Sequence, residues 1–125
     1  MFNKRFRFRD FSAYKTGRKF CSGIKNVSLT AFPTREKFGL VSQLNRALDS
    51  ILLNIAEGSA RSTNKDFAHF LNLATSSLNE VVACLDIAFD MGYIRADQLD
   101  VLLHEAAELS SQLTAFRRSL LHEPV

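Results

Sequence analysis

Apolar residues recur at Val41, Leu44, Leu48, Ile51 and Ile55, in alternating steps of three and four. That spacing holds one stripe on one face of a helix. Gln43, Arg46, Ser50, Asn54 and Glu57 repeat the spacing beside it. This polar stripe is either a solvated edge or a set of hydrogen-bonded contacts to a neighbouring helix or subunit. The pattern predicts a helix over 34–57, with Thr34 as N-cap and Gly58 as the C-terminal stop.

Three more helices follow from the same periodicity. The first is expected over 10–29, with Asp10 as its cap. Phe20, Ile24 and Val27 form one stripe, and Phe11, Tyr14 and Cys21 another. Gly17 and Gly23 weaken it by about 1 kcal/mol each relative to Ala, and Gly17 suits a close approach of another helix. Phe32-Pro33 ends it. The third helix opens with Thr63 and Asp66 in capping-box spacing. Its seam runs through Phe67, Leu71, Ala74, Leu78, Val81, Leu85 and Ala88 to a close at Asp90-Met91-Gly92-Tyr93. The fourth, over 96–121, presents Leu99, Leu102, Leu103, Ala106, Leu109, Leu113, Phe116 and Leu120. Short connections make sequential helices antiparallel neighbours. The expected fold is all-α, an antiparallel up-down-up-down four-helix bundle over 10–121. Before it, Phe6 and Phe8 alternate with Arg5, Arg7 and Arg9, the period of an extended segment, so residues 1–9 read as a short extended arm. Residues 122–125 read as a frayed tail.

Composition adds little to the fold but much to the surface. A chain of 125 residues, 46% hydrophobic, is one domain with one core. The net charge of +3 conceals an asymmetry. Residues 1–65 hold 13 Lys/Arg against 4 Asp/Glu, and residues 66–125 hold 3 against 9. The split fits an anionic partner for the basic half, subunits meeting basic face to acidic face, or adjacent helices of opposite sign. Cys21 and Cys84 fall inside helical patterns and read as reduced small hydrophobes. The basic N-terminus lacks an apolar run, so no signal peptide is expected, and no stretch approaches the ~20 apolar residues of a membrane span. A bacterial-type cytoplasmic protein is the expectation.

Catalytic chemistry finds no foothold. Asp66-x-x-His69 occurs once, and His104 follows Asp100 by four residues, so the paired Glu-x-x-His ligands of a di-iron bundle are missing. A phosphoacceptor role for His104 is opposed by Glu105 and Glu108. There is no Gly-rich nucleophile turn or phosphate loop. The expectation is a protein that is not an enzyme and carries no metal or cofactor. Nucleic-acid binding has more behind it. Arg5, Arg7, Arg9, Lys15, Arg18 and Lys19 form a basic arm and helix face, with Lys4 and Lys25 beside them. The interleaved Phe6 and Phe8 either stack on bases or pack against another subunit while the arginines stay solvated. The polar stripe of Gln43, Arg46, Ser50, Asn54 and Glu57 either forms a network with Ser76, Ser77 and Glu80 of the third helix, which would set their register, or is a solvated edge; Arg46 with Glu80 or Glu57 is the pair that tests it.

Gln43-Leu44-Asn45-Arg46-Ala47, Ser50-Ile51 and Asn54-Ile55-Ala56-Glu57-Gly58 together resemble the signature of the 23S ribosomal RNA intervening-sequence proteins. Phe32-Pro33 with Glu36, Arg61, Ala74 with Ser77-Leu78 and Glu80, and Gly92-Tyr93-Ile94 extend the resemblance from about Phe8 to Leu121. Ser76 and Leu52 depart from it, standing where family members commonly have Gly and often Pro. The resemblance implies a four-helix bundle assembled into a five-subunit ring, with no established enzymatic activity. It also implies distant relatives that bind a reverse transcriptase and nucleic acid. Two functions remain open: a non-catalytic homo-oligomer that binds RNA or a ribonucleoprotein, and a protein scaffold whose basic half is used in self-assembly.

Overall fold

The computed structural model describes residues 4–122. Four long helices follow a short 3-10 segment, Lys4–Asp10. They are α1 (Ser12–Ala31), α2 (Leu40–Ser59), α3 (Asn64–Asp90) and α4 (Ala96–Leu121), with a second 3-10 turn at Thr34–Glu36. Consecutive helices pack antiparallel, and α4 closes the bundle against α1. Each helix turns its periodic stripe inward: Phe20, Cys21 and Ile24 from α1, Leu44, Leu48, Ile51 and Ile55 from α2, Leu71, Ala74, Leu78, Val81 and Leu85 from α3, and Leu109 and Leu113 from α4. Near the α1 N-terminus an aromatic cluster seals the core. Phe11 lies 6.0 Å from Phe67 and 4.9 Å from Phe116, and Phe67 lies 5.2 Å from Phe116, ring centre to ring centre.

Helix ends are where local chemistry overrides the periodic reading. The Thr63 side chain caps α3 as expected, accepting from the Asp66 N–H at 3.1 Å. At α1, Asp10 does not cap. Phe11 occupies the N-cap position without a side-chain hydrogen bond, and the helix runs on to Ala31. Thr34 does not start α2 either. It opens the 3-10 turn, the backbone breaks at Gly39, and Glu36 Oε1 accepts the Leu40 N–H at 3.2 Å to cap the true start. Gly58 is not the stop of α2. It is buried inside the helix, where a Cβ would fall 2.7 Å from Phe70 Cβ and 2.9 Å from Phe67 Cδ1. A missing side chain there lets α3 approach α2. Gly17 plays the same part for α1, since a Cβ would meet Leu52 Cδ2 at 3.0 Å. Gly92, with φ of +78°, makes the left-handed turn between α3 and α4.

The N-terminal arm is not extended. Residues 4–10 form 3-10 turns kinked at Phe6, whose φ of −117° and ψ of 52° are non-helical. The cause is that its rings have a place to rest: Phe8 packs on Tyr14 at 5.0 Å, and the Phe11 N–H donates to the Phe8 carbonyl at 3.1 Å. Phe2 and the tail beyond His122 lie outside the described residues.

Across the far end of the bundle, the Tyr93 hydroxyl donates to Glu36 Oε2 at 2.6 Å, and the Tyr93 ring packs 5.5 Å from Phe32. This clasp ties the α1–α2 connection to the α3–α4 turn. Tyr93 and the Leu40 N–H together hold the Glu36 carboxyl below its ordinary pKa, and the same hydrogen bond raises that of Tyr93. Among the described residues no helix is long and apolar enough to cross a membrane.

Candidate nucleic-acid interface

Lys15, Arg18 and Lys19 all lie on the exposed face of α1 and, with Ser22, line a shallow groove. Their spacing of three and one puts them on one side of the helix. Lys19 also faces the seam between α1 and α4, which it lines with Thr16, Phe20, Glu105 and Glu108. Nearly two turns beyond Lys19, Lys25 is paired with Asp49 of α2, and the run of cations along α1 ends there.

Arg5, Arg7 and Arg9 are exposed on the 3-10 segment. Arg7 is also a strut. Its Nη2 donates to the Ser59 carbonyl at the end of α2 at 3.2 Å, and its guanidinium sits 5.7 Å from the Phe11 ring centre. These contacts hold the arm on its own bundle.

Antiparallel packing gathers further cations that the linear reading missed. The start of α1, the α2–α3 turn and the end of α4 share one pole of the bundle, which brings Arg61, Lys65, Arg117 and Arg118 to the arm's end. Arg61 pairs with Glu57 at 2.9 Å and lies 4.5 Å over the Phe70 ring, whose neighbour His69 meets it edge-on at 5.9 Å. The helix midpoints lie near one level, as the contacts Ser50–Ser77 and Cys21–Leu48 and the closeness of Gly17 to Leu109 show. A cut at that level divides residues 5–122 into two unlike halves. The lower half (5–21, 50–77 and 109–122) has 10 Lys/Arg against 3 Asp/Glu, a charge of +7. The upper half (22–49 and 78–108) has 5 against 9, a charge of −4. The charge split along the chain therefore becomes a charge split along the bundle axis. A projection of the charges onto the predicted bundle would have found it.

The polar stripe of α2 divides into parts. Asn54 Nδ2 donates to the Ser50 carbonyl at 2.8 Å and to Ser50 Oγ at 3.0 Å. Ser50 Oγ is 2.8 Å from Ser77 Oγ, which reaches the Leu73 carbonyl at 3.1 Å. Each hydroxyl has one proton, so all these contacts are made at once only if the chain runs Asn54 to Ser50 to Ser77 to Leu73. This half-buried chain joins α2 to α3. Gln43, Arg46 and Glu80 are exposed and take no part in it. The expected pairing of Arg46 is not seen among the described residues, and Glu57 pairs instead with Arg61 in the turn after α2. Leu53, 66% exposed, and Leu73, 38% exposed, flank the chain on the outer face.

His69 and His104 are both exposed. His104 Nδ1 is 2.9 Å from the Asp100 carbonyl one turn back. Among the described residues no three His, Cys, Asp or Glu side chains gather as a metal site requires. Cys21 is buried with its thiol on the Leu48 carbonyl, and burial pushes its pKa up to about 12.

A sequence model of the 23S rRNA-intervening sequence protein family matches residues 9–115, nearly the whole bundle. The chain belongs to this family. A solved structure of similar shape is a protein of unknown function from the S23 ribosomal protein family of Bacteroides thetaiotaomicron. It shares 23% identity, covers 85% of this chain and 95% of its own, and superposes with a TM-score of 0.77. At that identity the likeness concerns the fold. No curated protein matches the chain significantly. The family match begins at Arg9, so it takes in Lys15, Arg18, Lys19, Arg61 and Lys65 but leaves out Arg5 and Arg7 of the arm.

Proposed function

We propose that the protein is a non-catalytic, homo-oligomeric bundle that binds RNA, or a ribonucleoprotein, through the basic half of its surface. The observation that carries this reading is the axial charge division, +7 against −4 over residues 5–122. A phosphate backbone is the polymer that such a field attracts most strongly, and each neutralised phosphate releases counterions. Arg9, Lys15, Arg18 and Lys19 continue the cationic surface from the pole along α1. The binding is electrostatic and salt-sensitive, and no bond is made or broken.

Self-association belongs to the outer face of α2 and α3, where Leu53 and Leu73 are exposed beside the polar chain through Ser50, Asn54 and Ser77. Apolar groups around satisfied polar groups suit a repeated contact between copies. A ring of five is the assembly proposed, by the family resemblance. The alternative is a protein scaffold, favoured by Phe38 and Leu29 in the upper half, 90% and 79% exposed.

Native mass spectrometry of protein purified without nuclease, across a salt series, tests both. An oligomer carrying RNA that is shed as salt rises supports the proposal. A bare oligomer that falls apart with salt assigns the basic surface to assembly and supports the scaffold.

A further inference from the structure

We infer that the basic pole takes a single-stranded segment of RNA, with an unpaired base stacked on Phe6. The inference rests on the proposed RNA-binding function and narrows its ligand. Of the two rings in the arm, Phe8 is half-buried on Tyr14, while Phe6 is 47% exposed. That exposure leaves part of the Phe6 ring open to a ligand at the basic pole.

The ring is held in place and left half exposed. Phe6 meets Phe8 at 6.5 Å and 75°, an edge-on contact that leaves at least one face of Phe6 clear of its neighbour. Phe8 is in turn braced by Tyr14, and the turn is pinned to the end of α2 by Arg7. The kink at Phe6 sets this ring apart from the run of the turn. A half-exposed aromatic ring set among arginines is a platform on which unpaired bases stack while cations follow the backbone. A duplex hides its base faces within its own stack and offers such a ring nothing, so cations alone would hold it. The geometry therefore favours unpaired RNA over a duplex of equal length.

The chain contains no Trp, so Phe6→Trp installs a single tryptophan at the platform, excited selectively over the two tyrosines. Fluorescence anisotropy with a labelled 12-nucleotide oligouridine and a blunt 12-base-pair RNA duplex measures preference. The wild type is expected to favour the single strand. Phe6→Ala is expected to weaken single-strand binding about tenfold, within the range for loss of one stacked base, and to leave duplex binding unchanged. Tryptophan emission of Phe6→Trp is expected to be quenched by the oligouridine and not by the duplex. Circular dichroism melting, expected to be unaltered at so exposed a position, excludes unfolding as the cause. Equal affinity for both RNAs, with Phe6→Ala neutral and Trp emission unmoved, overturns the stacking platform and leaves salt-sensitive RNA binding standing. Failure of both RNAs to bind removes the proposed function and this inference together.

Discussion

Replacing Gly58 by Ala should destabilise the protein, against the usual direction of that exchange in a helix. In an exposed helix interior the substitution gains about 1 kcal/mol. At Gly58 the new methyl would lie 2.7 Å from Phe70 Cβ and 2.9 Å from Phe67 Cδ1, where carbon contacts are optimal near 3.5–4.0 Å. Neither neighbour can yield cheaply. Phe70 Cβ is fixed to the backbone of α3, and the Phe67 ring is wedged between Phe11 and Phe116. Relief requires α2 and α3 to part, which opens the seam between them. Overpacking of this kind costs about 1–3 kcal/mol, and two sub-3 Å contacts place it at the upper end. After the helix-propensity gain, the net loss is about 1–2 kcal/mol, a fall in Tm of roughly 3–8 °C for a domain of this size. Gly23 is the internal control, because a Cβ there meets nothing within 4 Å. Gly23→Ala should stabilise by roughly 0.5–1 kcal/mol. Urea and thermal unfolding of the two variants decide the matter. If Gly58→Ala stabilises as Gly23→Ala does, the close approach of α2 and α3 is not as described.

Three further outcomes follow from individual contacts. Glu36 has a lowered pKa in the fold, so the clasp to Tyr93 contributes stability above the ordinary glutamate range that is lost as pH falls through the folded value. Urea midpoints from pH 7 to pH 3 should therefore drop less steeply in Tyr93→Phe than in the wild type, and identical profiles would disprove the coupling. Cys21, pushed up to about 12 by burial, should resist thiol reagents at pH 8 in native protein and react on denaturation, and rapid native labelling would contradict its placement. Ser50→Ala and Ser77→Ala should each cost about 0.5–1.5 kcal/mol, and the double variant should cost less than their sum because they break one hydrogen-bonded chain. Strict additivity in chemical denaturation would show that the two hydroxyls do not interact.

The bundle was legible because its signal is repetitive. Leu44, Leu48, Ile51 and Ile55, like Leu71, Leu78 and Leu85, report a buried face many times over, and each is buried. Helix ends rest on single contacts instead. Thr34 looks like a cap, yet the acceptor used for α2 is Glu36, which is drawn into place by Leu40 N–H and Tyr93 together. Gly58 looks like a stop because a C-terminal Gly normally supplies left-handed backbone. Its use here is steric and depends on Phe67 and Phe70 of the next helix. The arm's alternation of Phe and Arg matched a strand in period, but a lone segment has no partner strand to pair with, and Phe8 found Tyr14 instead.

The candidate site shows the same division. Lys15, Arg18 and Lys19 were visible as neighbours on one helix. Arg61, Lys65, Arg117 and Arg118 join Arg5, Arg7 and Arg9 only when the antiparallel path returns α2, α3 and α4 to the pole where α1 begins. The pairing of Arg46 with Glu57 failed for a local reason. Glu57 lies about 16 Å from Arg46 along α2, at ~1.5 Å per residue, and takes Arg61 in the turn that follows the helix.

The axial charge division is tested most directly by RNA affinity as a function of salt, compared between variants at the two ends. Arg9→Glu with Lys65→Glu alters the basic pole, and Lys37→Glu alters the opposite end by one cation. The account predicts that the pole variant binds a labelled RNA strand more weakly and flattens the plot of log K against log salt by about 0.7 for each phosphate left without its cation. Lys37→Glu should leave both quantities close to wild type. Equal effects from the two ends, or a wild-type slope near zero, would contradict it.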